Sequence, residues 1–147
     1  MKIQKIYIII LLFILLAGMA KGVSDTLQFH YSKSVFQEFK NEEWFNPAIS
    51  WKNKYRDYDN GDLREAYLGS RSLFVWHTDA WHLAQTIETL AWVLALLATV
   101  KLGCLRARLP VSQDAKSNCI MFATFFVLSL FVFYSGFLLL YGWLLMG

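Results

Sequence analysis

The sequence predicts an all-α integral membrane protein with two transmembrane helices, an aromatic-rich outer segment, and an N-terminal signal peptide or short anchor helix. Of its 147 residues, 56% are hydrophobic and 17% are charged, whereas soluble domains average about 45–50% and about 25%. The apolar residues fall in three blocks, and a basic segment separates the last two. This hydrophobicity excludes intrinsic disorder, which needs few apolar residues and a high net charge.

The first apolar block lies between Lys5 and Lys21. Its 15 residues would form a helix of about 22 Å, which is short for a bilayer core of about 30 Å. The basic start, the apolar middle and the small residues Gly18 and Ala20 are the parts of a secretory signal peptide that is cleaved after Ala20. The alternative is an uncleaved anchor helix whose flanking lysines extend to the membrane surfaces.

The second block covers about residues 83–102, and the third covers about residues 119–146. Both are long enough to span a bilayer, and the third contains no charged residue. Ser129 and Gly136 are seven positions apart and therefore lie on one face of the third helix. Because small residues allow helices to approach closely, they predict a helix-packing seam against the second span or a partner chain.

The charges orient the chain. The loop between the second and third blocks is basic, and so is the N-terminus, so the positive-inside rule places both in the cytoplasm. Residues 22–82 and the C-terminus then lie outside the cell inner membrane. The predicted organisation is a signal peptide or first transmembrane helix at 1–20, an extracytoplasmic aromatic-rich segment at 21–72, an interfacial turn that continues into a transmembrane helix at 73–102, a basic cytoplasmic loop at 103–118, and a transmembrane helix at 119–147.

The outer residues 22–82 carry 13 of the 25 aromatic residues. About 60 residues is near the lower limit for an independent core, so we expect the segment to pack on the membrane surface or against the protein's own helices. Its local patterns predict a short helix at about 34–43, a break at Asn46-Pro47, a turn at Asn60-Gly61, and a helix that begins near residue 73 and continues into the second span.

The run from His77 to His82 holds the strongest candidate chemistry. On a continuous helix, His77 and Glu88 would share one face, and Asp79 and His82 would lie on a neighbouring face. Asp79 is three residues before His82 and could hold its ring by a hydrogen bond. His77, Asp79 and His82 are candidate ligands for a divalent metal. However, the two histidines are five apart rather than the four typical of a zinc-binding helix, so such a site needs a distorted helix or ligands from elsewhere.

Glu88 is predicted about 10 Å below the outer membrane surface. An ionisable residue at that depth is costly and therefore suggests a functional site. Glu88 is the candidate catalytic acid–base group. The alternative is a structural hydrogen bond to a neighbouring helix.

Two stretches resemble a known group of proteins. Residues 45–55, FNPAISWKNKY, and residues 69–83, GSRSLFVWHTDAWHL, resemble a recurrent segment of small integral membrane proteins from Bacteroidetes-type bacteria, a group with no assigned activity. The resemblance implies a bacterial inner-membrane location and no particular reaction.

Two functions follow as hypotheses. The first is a structural or interaction component of a membrane assembly, whose partners are the lipid bilayer and another membrane protein or a second copy. The second is a small membrane enzyme or metal-binding site at the outer interface that uses His77, Asp79, His82 and Glu88. Nucleic acid is not an expected partner, because the basic residues are few and dispersed.

Overall fold

The computed structural model describes residues 3–106 and 115–145, with side chains of the last helix described from residue 120 onward. Three helices are long and apolar enough to cross a membrane, in agreement with the predicted membrane protein. They are α1 (Ile3–His30), α4 (Ala80–Arg106) and α5 (Ala115–Leu145). The short elements between α1 and α4 are α2 (Glu42–Phe45), α3 (Pro47–Ser50), β1 (Tyr55–Asp57) and β2 (Asp62–Glu65).

The first helix is the centre of the bundle. Ile6, Ile10 and Ile14 recur at every fourth position and are almost completely buried, because residues four apart lie on one helix face. They pack against Ala95 and Leu102 of α4 and against aromatic residues of α5. The second and third long helices both pack along α1, but they make few contacts with each other.

Glycines bring α1 and α5 into backbone contact. A Cβ atom built on Gly136 would lie 2.6 Å from the carbonyl oxygen of Leu15, and one built on Gly22 would lie 2.9 Å from that of Phe137. Gly18, four residues before Gly22, lies equally close to α5. This spacing of small residues is typical of close helix pairs in membranes. The helix that faces Gly136 is therefore α1, whereas the sequence suggested the second span or a partner chain.

The short helix expected at about 34–43 is replaced by the 3₁₀ turn Val35–Glu38 and the beginning of α2. The Asn46-Pro47 pair begins a helix as well as ending one. The Asn46 side chain accepts a hydrogen bond from the backbone nitrogen of Ala48 at 3.0 Å, and Pro47 is the first residue of α3. Asn is favoured at the N-cap because its side chain accepts a backbone N–H of the first turn. Pro is favoured at the first helical position because it has no N–H that needs a partner.

The predicted turn at Asn60-Gly61 is confirmed, and it closes a β-hairpin that the all-α prediction did not include. Strands β1 and β2 pair antiparallel, with Tyr55 opposite Glu65. Gly61 has a φ of 80°, which glycine adopts without steric cost.

The helix expected from residue 73 begins at Ala80 instead. Asp79 decides this start, because its Oδ1 accepts the backbone N–H of His82 at 2.9 Å and so satisfies a donor in the first turn. His77 lies in a separate 3₁₀ turn, Val75–His77. The prediction that His77 and Glu88 share one face of a continuous helix is therefore wrong.

Candidate functional site

Asp79 and His82 form a buried pair at the beginning of α4. The Asp79 Oδ2 atom lies 2.6 Å from His82 Nδ1 and 2.9 Å from the Thr78 hydroxyl. The expected hydrogen bond between Asp79 and the His82 ring is thus confirmed. Asp79 is only 2% exposed. Burial by itself would raise the pKa of Asp79, but the hydrogen bonds from His82 and Thr78 hold it below its usual value.

This pairing fixes the chemistry of the imidazole. An ionised carboxylate can only accept hydrogen bonds, so Nδ1 of His82 carries the proton that it donates to Asp79. The other ring nitrogen, Nε2, is then left to interact with a ligand, as an acceptor in the neutral ring and as a donor in the protonated ring. A carboxylate that orients an imidazole in this way is a recurring arrangement in enzymes.

The pair borders a pocket of about 290 Å³, which we call the His82 pocket. Its polar lining comes from three parts of the chain. Gln28 is near the end of α1, Ser50 ends α3, and Lys54 ends the 3₁₀ turn Trp51–Lys54. The apolar lining is provided by Pro47, Trp51 and Trp81.

Lys54, which lines the pocket, shares an aromatic ring with a second cation. The Lys54 ammonium lies 5.8 Å from the ring centre of Trp51 and 5.5 Å from that of Tyr55. The Arg71 guanidinium lies 5.4 Å from the same Tyr55 ring. Among the described residues, Lys54 and Arg71 form no ion pair, whereas Lys52 is paired with Asp59 at 2.5 Å.

Of the three predicted metal ligands, Asp79 and His82 are in contact at 2.6 Å, whereas His77 is surrounded by aromatic rings. His77 lies edge-on to the rings of Trp76, Tyr67 and Trp44, with centroid distances of 5.5, 6.0 and 6.4 Å. Across residues 3–106 and the described part of α5, no group of three or more His, Cys, Asp or Glu side chains is placed to hold a metal ion. A divalent metal therefore gains no support from the donor set around Asp79 and His82.

The candidate catalytic residue Glu88 belongs to a different polar group. It lies six residues beyond His82 on α4, about 9 Å along the helix axis, and it does not line the His82 pocket. The charged groups that act on it are Lys21 and Asp25 of α1, which form an ion pair of 2.6 Å. Lys21 also flanks the first apolar block of the sequence. Its spacing of four from Asp25 indicates an ion pair on a helix.

An apolar cleft opens between α4 and α5, with Ile10 and Ile14 of α1 as its floor. Its volume is about 520 Å³, and we call it the α4–α5 cleft. Ser129 lines this cleft, and its hydroxyl donates to the carbonyl oxygen of Phe125 at 2.8 Å. Thr99 likewise donates to Ala95 of its own helix. Because both hydroxyl protons are used internally, the cleft surface is suited to apolar groups.

The residues of the His82 pocket that come from the outer segment were not predicted. Ser50 and Lys54 belong to no recognisable motif, and only the alternation of aromatic and basic residues from Trp51 onward distinguishes this part of the sequence.

Comparison with known proteins adds no analogy, since no family model, curated protein or solved structure matches the chain.

Proposed function

We propose that the protein is a three-span protein of the cell inner membrane that acts as a structural or interaction component of a membrane assembly. The N-terminus and loop 103–118 lie in the cytoplasm in this proposal, and residues 22–82 and the C-terminus lie outside. The support for this orientation is the excess of basic residues in the two cytoplasmic parts.

Residues 1–20 are retained as part of the first span in this proposal. Ile6, Ile10 and Ile14 are almost completely buried between the long helices. Gly18 and Leu15 lie against the backbone of α5. Cleavage after Ala20 would remove all of these contacts and leave α4 and α5 without the helix that joins them.

The α4–α5 cleft is the observation that carries the interaction function. Both helices pack on α1 and make few contacts with each other, so a largely apolar cleft stays open between them, with the Ser129 and Thr99 hydroxyls bonded within their own helices. Apolar attraction between helices is weak in lipid, so association depends on close van der Waals packing. A transmembrane helix of another membrane protein would supply that packing and complete a four-helix bundle.

Two phenylalanines of α5 provide a matched test. Phe126 lines the cleft, whereas Phe131 does not, and both are well exposed, at 64% and 71%. A photoreactive phenylalanine analogue at each position is activated in intact membranes, and the adducts are sized. We expect a discrete protein adduct from position 126 and no comparable one from position 131. A mass of twice the chain would identify a second copy as the partner. Lipid adducts alone at both positions would refute the docking role.

A second function is favoured by the Asp79–His82 hydrogen bond. The oriented imidazole could act as a general base on a water or hydroxyl group in the His82 pocket, which would make the protein a small membrane enzyme. Wild-type and His82→Gln proteins can be compared for hydrolysis of p-nitrophenyl esters and for bound metal. Activity or metal that disappears in the variant supports this function, and equal values in both proteins refute it.

A further inference from the structure

We propose that the His82 pocket binds a phosphate group, and that the source of this group is the headgroup of an anionic phospholipid. This site is separate from the α4–α5 cleft and does not depend on the docking function proposed for that cleft. The inference combines the charge of the pocket, the arrangement of its donors and its position at the ends of two long helices.

The charge favours an anion. The Asp79 carboxylate is 2% exposed and already accepts hydrogen bonds from the His82 ring and the Thr78 hydroxyl, so the Lys54 ammonium is the cation that the pocket lining leaves available to a ligand. Within the described residues, no carboxylate lies within ion-pair distance of this ammonium. Arg71 adds a second unpaired cation on the shared Tyr55 ring. Hydrogen bonds from ionised donors to phosphate oxygens are about twice as strong as those between neutral groups.

The donor arrangement suits a tetrahedral group. Besides the Asp79 carboxylate, which is paired with His82, the polar side chains come from three elements: Gln28 from α1, Ser50 and Lys54 from the outer segment, and His82 from α4. Phosphate oxygens point in several directions and can accept hydrogen bonds from donors on different walls. A carboxylate has two oxygens in one plane and would leave some of these donors without a partner.

The location and the apolar walls favour a lipid as the source. Gln28 is two residues before the end of α1, and His82 is the third residue of α4, so the pocket lies where two apolar helices leave the hydrocarbon. Tryptophan side chains concentrate at this level of a membrane, and Trp51 and Trp81 line the pocket beside the polar groups. An anionic amphiphile would place its phosphate against Lys54 and its glycerol and first methylenes against the indoles.

Lipid binding can be measured on the intact protein. The chain is reconstituted in nanodiscs with equal amounts of phosphatidylglycerol and phosphatidylcholine, released into detergent, and examined by native mass spectrometry. We expect one phosphatidylglycerol to be retained by the wild type. Lys54→Gln should weaken that retention by at least about tenfold, as expected when a charged hydrogen-bond partner is lost, and Lys54→Arg should preserve it.

Lys52→Gln is the matched control, because Lys52 is an aromatic-bound lysine two residues away that does not line the pocket and is already paired with Asp59. Its retention of phosphatidylglycerol should equal that of the wild type. An equal loss in Lys52→Gln and Lys54→Gln would overturn the proposal, since the effect would then reflect overall charge. His82→Gln tests the pocket through a second residue, and unchanged lipid retention in both His82→Gln and Lys54→Gln would also overturn it.

Titration with inorganic phosphate, followed by ³¹P NMR, separates the two sources of the group. Binding of phosphate that depends on Lys54, without retention of phosphatidylglycerol, would support a phosphate site but transfer it to a soluble phosphate compound. Absence of both lipid and phosphate binding in the wild type would refute the site altogether.

Discussion

Replacement of Gly136 by alanine tests the central contact of the fold. The added Cβ atom would lie 2.6 Å from the backbone oxygen of Leu15 and 3.3 Å from the backbone nitrogen of Met19. The first of these atoms belongs to the main chain of α1 and cannot turn aside as a flexible side chain could. Ordinary contact at 3.4 Å would require α1 and α5 to separate by about 0.8 Å at this position.

The expected loss of stability follows from two opposing effects. Overpacking of a well-packed contact costs about 1–3 kcal/mol. Alanine is also the better helix former, which returns up to about 1 kcal/mol. The net effect of Gly136→Ala is therefore a loss of about 1–2 kcal/mol in the free energy of unfolding.

Gly142 provides a matched control in the same helix. A Cβ atom built there has no neighbour within 4 Å, so Gly142→Ala gains in helix propensity and meets no obstacle. Because both substitutions share the propensity effect, the difference between the two variants isolates the close approach. It should amount to about 1–3 kcal/mol, a factor of about 5–150 in the unfolding equilibrium.

The assay is reversible unfolding in mixed micelles with an increasing fraction of sodium dodecyl sulfate, followed by tryptophan fluorescence. Equal stability of Gly136→Ala and Gly142→Ala would refute the reasoning. That result would mean that α5 does not contact α1 closely. It would also follow from cleavage after Ala20, which would remove Leu15 and Met19 and leave Gly136 against lipid.

Three further outcomes are expected. The intact mass of the protein purified from membranes should include the segment before Ala20, and a mass that starts at Lys21 would show that it is cleaved. The pKa of Asp79 is lower in the folded protein than in the unfolded chain. Its carboxylate therefore stabilises the fold at pH values above the usual pKa of aspartate, and this stabilisation is lost as the pH falls through the lowered pKa. Asp79→Asn should therefore flatten the loss of thermal stability in acid, and an unchanged acid profile would contradict the assignment. Gly61→Ala should destabilise the hairpin by about 1 kcal/mol or more because φ is positive there. Gly103→Ala, with open space around its Cβ position, is the control and should cost no stability. Equal melting temperatures of the two variants would contradict this prediction.

Local features of the fold could be predicted because they depend on neighbouring residues. The turn at Asn60-Gly61 followed from the conformational preferences of these two residues alone. The hydrogen bond from His82 to Asp79 followed from a spacing of three, which places both groups in the first turn of a helix. The α4 and α5 spans followed from the length of their apolar runs.

Features that depend on distant residues could not be predicted in the same way. The start of α4 was predicted seven residues too early. Several polar residues before this helix could have capped it, and in the folded chain Asp79 is the one that does. The His82 pocket combines Gln28, Ser50 and Lys54, which are separated along the chain and share no motif. Their side chains meet only because the outer segment folds back over the ends of α1 and α4.

The sequence by itself determined which segments are apolar enough to cross a membrane and which loops carry the basic charge, because hydropathy and charge act locally along the chain. Only the tertiary structure decided how the helices are arranged. It made α1 the central helix, since Gly18, Gly22 and Gly136 permit backbone contact with α5, and it left a cleft between α4 and α5. It also placed Glu88 with Lys21 and Asp25 rather than with His82, because the packing of α1 against α4 determines which polar groups face each other.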